Sequence, residues 1–224
     1  MIKPSWASDN SLSFLYRIVV FFTWLFFKIL YRHKIYGLNH IYKGAAIIAA
    51  NHTSFYDPPI LAISWPQEVH FLARESLFRY ALFGPFIRKL NSHPVQGDTS
   101  NIRAFKAIQE FLASGKKVIL FPEGTRAYED RLGELKSGVA FLVLRSQTAV
   151  IPAYIHGTFS IWNRERKFPK LWGKTACVFG NPISYERFQG LDKKQAQKAL
   201  TESLAESIQN LRTWYERGAE GDPP

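Results

Sequence analysis

Cysteine occurs once in the 224 residues, as Cys177, so an intramolecular disulfide framework and an all-cysteine metal site are both excluded. Cys177 sits in the strand-like run TACVFG and reads as inert core. Acidic residues are also scarce. The 18 Asp and Glu are outnumbered by 29 Lys and Arg, a formal charge of +11 that calls for an anionic partner such as nucleic acid, a phospholipid surface or a phosphorylated substrate. No Gly-x-Ser-x-Gly elbow occurs, so a hydrolase nucleophile has no seat. The phosphate loop of nucleotide-dependent enzymes is missing too: Gly173, Lys174 and Thr175 resemble its end, but Phe168 stands where its first glycine belongs. Internal repeats and low-complexity linkers are absent.

Long apolar runs are lacking as well. The stretch from Ile18 to Phe27 carries no charge, yet as a helix it covers only ~15 Å of a hydrocarbon core of ~30 Å. Extending it from Phe14 to Tyr31 takes in Arg17 and Lys28, which would have to snorkel. An in-plane or half-inserted helix is the expectation, with an internal core helix as the bland alternative. Phe21, Phe22, Trp24, Phe26 and Phe27 crowd into this stretch, and no small-residue cleavage site follows it. That aromatic crowding favours a membrane surface over nucleic acid as the anionic partner. Lys28, Arg32 and Lys34 follow the run more densely than Lys3 and Arg17 precede it, which places the rest of the chain on the cytoplasmic side.

Beyond residue 34, short β-rich runs alternate with helical patterns. AAIIAA (45–50), VHFLA (69–73), KVILF (117–121), AVIPAYI (149–155) and TACVF (175–179) read as strands. A helix is predicted over 101–113, with Ser100 as N-cap and Gly115 as its stop, and a buried one over 138–145. Ala196, Leu200, Leu204, Ile208, Leu211 and Tyr215 mark the inner stripe of a C-terminal amphipathic helix. The fold class is therefore α/β, a central, mostly parallel sheet covered by helices, with an N-terminal membrane-binding helical element. The expected division is a membrane-associating segment over 1–33, a catalytic domain over 34–217 and a flexible tail over 218–224.

Two segments carry chemistry. AAIIAA runs directly into NHTSFYD, placing His52 and Asp57 at the carboxyl end of a strand, where α/β folds usually put their ligands. Asp57 precedes Pro58 and Pro59, which keeps it out of a helix interior and equally suits an N-cap. A carboxylate so placed can accept the Nδ1 proton of His52 and leave Nε2 free as a base. KVILF runs into FPEGTR, where Gly124 lets backbone approach a ligand and Arg126 offers a fork of donors suited to phosphate. Glu123 is positioned to orient Arg126 or the substrate. Arg74, after a strand, and Lys136, before the buried helix, are candidate further cations, although either alone reads as a solvated surface charge.

Together these segments resemble the glycerolipid acyltransferase family, and within it the bacterial 1-acylglycerol-3-phosphate acyltransferases. NHTSFYD matches the family's His-four-spacers-Asp block, FPEGTR its phosphate-binding block and VIPAYI its proline-containing block, while ARESLF and LKSGVAFLV resemble its flanking basic and Lys-x-Gly segments. The likeness covers about residues 34–185. It implies a His52 and Asp57 dyad, acceptor binding by Glu123, Gly124, Thr125 and Arg126 with Arg74 and Lys136, and an N-terminal membrane-binding element. It also implies an acyl-coenzyme A or acyl carrier protein thioester as donor, lysophosphatidic acid as acceptor, and a lipid surface, with no nucleic acid and no cofactor. The implied location is the cytoplasmic face of a bacterial inner membrane. One block departs from the pattern: where the family has an acidic residue and arginine after a strand valine, this chain has Val95, Gln96, Gly97 and Asp98. Glycerol 3-phosphate or another lysophospholipid therefore stays open as acceptor, as does a basic lipid-binding module without chemistry.

Overall fold

The computed structural model describes residues 14–95 and 102–224. The proposed Ser100 N-cap and the divergent Gln96, Gly97 and Asp98 lie outside them. Among the described residues eight strands form one mixed sheet: β1 (Lys34–Tyr36), β2 (Ala46–Ala50), β3 (Val69–Arg74), β4 (Ser92–Val95), β5 (Lys117–Leu120), β6 (Ala149–His156), β7 (Ala176–Phe179) and β8 (Ile183–Ser184). Their order is β1-β7-β6-β2-β5-β3-β4, with β8 paired to β6. Every pairing is parallel except those of β6 with β7 and β8. All five expected strands are present. The three that pattern reading did not mark are two to four residues long, and β4 carries Pro94, tolerable because β4 pairs only with β3 at the sheet edge.

Strand residues alternate between two cores. Ala46, Ile48 and Ala50 face a cluster closed by α1 (Phe14–Leu30) and α2 (Asp57–Ser64), whereas Ile47 and Ala49 face one closed by α4 (Ile102–Ala113), α5 (Gly138–Ser146) and α7 (Lys193–Glu216). The helix pattern over 101–113 and the buried one over 138–145 thus both correspond to helices. In α7 the predicted stripe is buried from Ala196 to Leu211, while Tyr215 is half-buried against β6 and β7 neighbours. Asp192 caps this helix, its carboxylate accepting from the amides of Lys194 at 2.9 Å and Gln195 at 3.0 Å. Helix α3 (Phe83–Lys89) connects β3 to β4, and the short α6 (Thr158–Trp162) follows β6.

Among the described residues no helix is long and apolar enough to cross a membrane. In α1 the inner face is core: Tyr16, Val20 and Phe27 are buried, and Phe27 packs against Tyr31 and Tyr56. Its outer face exposes Phe14, Ile18, Phe21, Phe22, Phe26 and Ile29. The segment read as a loose tail returns to the body instead. Pro223 is buried and the Asn181 amide donates to the Pro224 carbonyl at 3.4 Å, so the last residues add apolar contact beside β7.

Candidate active site

Strand register brings the motifs together. β2 lies between β5 and β6, with Ala49 opposite both Leu120 and Pro152, so β2 and β5 end within a residue of each other while β6 runs three residues beyond Ala153, the partner of Ala50. The segment leaving β2 is NHTSFYD, the segment leaving β5 is FPEGTR, and the segment leaving β6 is His156-Gly157-Thr158. Asn51 locks two of them, donating from Nδ2 to the Ile155 carbonyl at 3.0 Å and accepting the Ile155 amide at 2.7 Å.

His52 Nδ1 lies 2.9 Å from Asp57 Oδ2, with Asp57 fully buried and the His52 side chain 17% exposed. A carboxylate removed from water needs hydrogen-bond donors in its place. Asp57 has them. Oδ2 also accepts the amides of Thr53 and Ser54, each at 2.7 Å, and Oδ1 accepts the Thr158 hydroxyl at 2.7 Å. Asp57 opens α2 in the same stroke, since Pro58 and Pro59 occupy its first turn. The carboxylate can only accept, so Nδ1 of His52 carries the proton and Nε2 is left as the base. The Phe121 ring stacks on the imidazole, with centroids 4.0 Å apart and planes at 16°.

Glu123 is buried and gives its two oxygens to backbone: Oε1 accepts the His52 amide at 2.7 Å and Oε2 the Gly133 amide at 3.0 Å. Burial pushes its carboxyl above the ordinary range, and those two amides oppose the shift. Its two oxygens thus tie the β2 and β5 loops beneath His52, and the residue lines one cleft with Arg126. Gly124 has φ +75°, and a Cβ there would lie 3.1 Å from Lys136 Nζ. A side chain at 124 would therefore be strained by the positive φ and would nudge the Lys136 ammonium.

Arg126 lies over the Phe55 ring, its guanidinium carbon 3.6 Å from the centroid. Its Nη1 is buried without a hydrogen-bond partner. Burial, then the charges of Arg164 and Arg74, pull this guanidinium below its ordinary value, with Asp57 opposing. Arg164 Nη1 donates to the Arg126 carbonyl at 3.2 Å, and its guanidinium stacks 3.7 Å above the Tyr128 ring. Among the described residues none of Arg74, Arg126, Lys136 and Arg164 enters an ion pair with a carboxylate. Gathered cations with an unfilled donor form a receptor for an anion. Of the four, Arg126 lines a cleft of about 320 Å³, together with Glu123, Thr125, Tyr128, Arg131 and Glu134.

Two participants escaped the sequence reading, Thr158 and Arg164. Thr158 follows directly from the end of a buried strand, a positional signal that was available; Arg164 lies in a loop that only tertiary folding brings to Arg126. Gly157, just before Thr158, has φ +82°, and a Cβ there would stand 2.0 Å from the Lys174 carbonyl. Glycine at 157 thus leaves room for that carbonyl one residue before the hydroxyl that meets Asp57. Cys177 is enclosed in β7, its thiol pushed up by burial.

A nucleophile-free histidine and aspartate dyad beside an arginine cluster, at the carboxyl edge of a mostly parallel sheet, is the arrangement of an acyl-transfer enzyme. The family model Acyltransferase matches residues 32–156, more than half the chain, and the chain belongs to that family. Among characterised relatives, it is 29% identical over 180 residues to 1-acyl-sn-glycerol-3-phosphate acyltransferase of Bacillus subtilis (strain 168), covering 80% of this chain and 87% of that protein. The Streptococcus pneumoniae enzyme of the same name is 27% identical over 168 residues, 73% of this chain and 57% of its own length. The crystal structure of the 1-acyl-sn-glycerophosphate (LPA) acyltransferase from Thermotoga maritima superposes with a TM-score of 0.74 at 23% identity, over 88% of this chain and 79% of that one, and shares the fold.

Proposed function

We propose that the protein moves a fatty acyl group from a thioester of coenzyme A or acyl carrier protein to the sn-2 hydroxyl of 1-acyl-sn-glycerol 3-phosphate, giving phosphatidic acid. The observation that carries this reading is the dyad: His52 Nδ1 held 2.9 Å from a fully buried, fully bonded Asp57. His52 Nε2 takes the acceptor proton as the hydroxyl oxygen attacks the thioester carbonyl. The tetrahedral intermediate collapses by breaking the carbon-sulfur bond, and the imidazolium returns its proton to the departing thiolate. Asp57 keeps the ring oriented and stabilises the imidazolium. Arg126 grips the acceptor phosphate, with Arg74, Lys136 and Arg164 adding positive charge and Thr125 lining the cleft, while Gly124 lets the loop close on it. Glu123 supports the base from beneath. The unfilled Nη1 of Arg126 favours a phosphate-bearing acceptor. The exposed apolar face of α1 lies in the plane of the membrane, on its cytoplasmic side, and the α/β body over 34–217 carries the chemistry.

The test is transfer from both donors to 1-acylglycerol 3-phosphate, with wild type beside His52→Ala and Arg126→Ala. His52→Ala is expected to lose about 10²-fold or more in turnover while melting like wild type. Arg126→Ala is expected chiefly to raise the acceptor KM, by about tenfold to a hundredfold, the worth of a charge-assisted hydrogen bond. Unchanged turnover in His52→Ala would sink the mechanism. Product only with glycerol 3-phosphate or another lysophospholipid would keep the chemistry and change the acceptor.

A further inference from the structure

The loop between α6 and β7, residues 163–174, carries beyond Arg164 a surface the reaction does not use. Phe168, Leu171 and Trp172 are 70%, 69% and 67% exposed. Standing among them are Arg164, Arg166, Lys167, Lys170 and Lys174, with Glu165 as the single acid. In a slack loop such side chains would fold inward, but this backbone is fastened. Asn163 Oδ1 accepts the amides of Glu165 and Arg166, each at 3.1 Å, the Lys170 amide reaches the Ile161 carbonyl at 3.0 Å, and Trp162 Nε1 donates to the Arg166 carbonyl at 3.1 Å. The apolar side chains are therefore held outward by construction.

Position supplies the second observation. The Tyr31 hydroxyl donates to the Lys170 carbonyl at 2.8 Å, the Gly173 amide to the Leu30 carbonyl at 3.3 Å, and the Thr175 amide to the Tyr31 carbonyl at 2.9 Å. These bonds set the loop against the carboxyl end of α1, where Phe26 and Ile29 are also exposed. The two apolar surfaces are neighbours, edged by Lys28, Arg32, Lys170 and Lys174. Large apolar side chains ringed by cations match the boundary between headgroups and acyl chains: Trp and Phe favour that depth, and lysines reach the phosphates.

The geometry points to loop 163–174 as a second membrane anchor, one that seats Phe168, Leu171 and Trp172 in an anionic bilayer beside α1. It rests on the reading that the enzyme draws its acceptor from a lipid surface, and it explains how a lysolipid reaches the cleft. The same loop carries Arg164, so the anchor and the arginine cluster are one continuous stretch of chain. The acceptor phosphate leaves the headgroup layer next to the guanidinium that receives it.

The test uses the full chain and two vesicle types, phosphatidylcholine alone and phosphatidylcholine mixed with phosphatidylglycerol in equal parts. Leu171→Ser with Trp172→Ser is expected to weaken sedimentation with the mixed vesicles by about tenfold to a hundredfold, from the apolar area withdrawn from the boundary. Lys167→Gln with Lys170→Gln is expected to weaken it several-fold on mixed vesicles and little on phosphatidylcholine alone. Turnover of the first double variant on acceptor dispersed in detergent stays at the wild-type level, which separates anchoring from misfolding. Brominated lipid should quench wild-type tryptophan fluorescence more than that of Trp172→Phe, a variant whose ring keeps the anchor. Equal vesicle binding by wild type and the Leu171, Trp172 double variant overturns the anchor while leaving the reaction intact. Loss confined to turnover with acyl carrier protein assigns the loop to that acidic donor and overturns it too. A wild type that makes no phosphatidic acid fails at the reaction instead, and the quenching measurement still decides whether the loop meets lipid.

Discussion

Helices α1 and α7 lie on opposite faces of one sheet and solve the same packing problem with opposite outer surfaces. α7 buries Ala196, Leu200, Leu204, Ile208 and Leu211 and turns Lys, Glu and Gln to water, the pattern of a helix whose apolar partners, the sheet and α5, all lie on its inner side. α1 buries Tyr16, Val20 and Phe27 and turns Phe14, Phe21, Phe22 and Ile29 outward. Water rewards the first arrangement and penalises the second, by about 25 cal/mol for each Å² of apolar surface left wet. The difference teaches that helices on the two sides of one sheet can bury equivalent stripes and still present unlike outer faces, polar on α7 and apolar on α1.

The comparison breaks most sharply at the inner positions, which should behave alike. Phe27→Ala removes a fully buried ring from the α1 side and is expected to cost ~3–5 kcal/mol in urea unfolding, and Leu200→Ala on the α7 side ~2–5 kcal/mol. A loss below ~1 kcal/mol for Phe27→Ala would mean that α1 is not part of the core.

Acid should sharpen the comparison next. On the α1 side His33 is buried between Thr175 Oγ1 and Ser64 Oγ, each 2.9 Å away, and Ser64 in turn donates to the Ile60 carbonyl at 2.6 Å. Burial, with a lesser push from Lys28, lowers its pKa from 6.5 to about 3. Between those values the unfolded chain binds a proton that the folded chain refuses. Stability from His33 is therefore intact above pH 6.5 and lost as pH falls toward about 3, at a limiting slope of ~1.4 kcal/mol per pH unit. His33→Asn should flatten that acid limb in urea titrations. An unchanged slope would assign acid sensitivity elsewhere, with His70 and His93 on the opposite face as the next groups to substitute.

The smallest effect on stability belongs to the outer face. Phe22→Ser should shift unfolding by no more than ~0.5 kcal/mol while weakening sedimentation with anionic vesicles. Were stability to fall by several times that figure with vesicle binding intact, the outer face of α1 would be a packing surface after all.

The His52 and Asp57 pair was legible because its two members and the strand beneath them are contiguous: AAIIAA followed by NHTSFYD puts both at the carboxyl end of that strand. The arginine cluster was legible only in part. Arg126 announces itself by following a strand and a glycine, whereas Arg164 sits in a loop whose residues, read alone, look like ordinary solvated charge. Glu123 shows the converse limit. Its proximity in sequence to Arg126 suggested a partner there, but a carboxylate enclosed beneath neighbouring strands finds backbone amides first, and strand register decides which. The short edge strands β1, β4 and β8 left too few residues for a period to emerge, and α1 was ambiguous between core and membrane helix because one face packs into the core while the other leaves apolar side chains exposed.

Gly157 joins these regions through a single backbone contact. Its missing side chain leaves room for the carbonyl of Lys174, where the basic loop re-enters the sheet, while the next residue hands its hydroxyl to Asp57. For anyone grafting a foreign loop between α6 and β7, the exit point is thus already set. The insert can vary in length and chemistry at its tip, but it must return its chain to the same spot against position 157, or the graft will retune the base along with the surface.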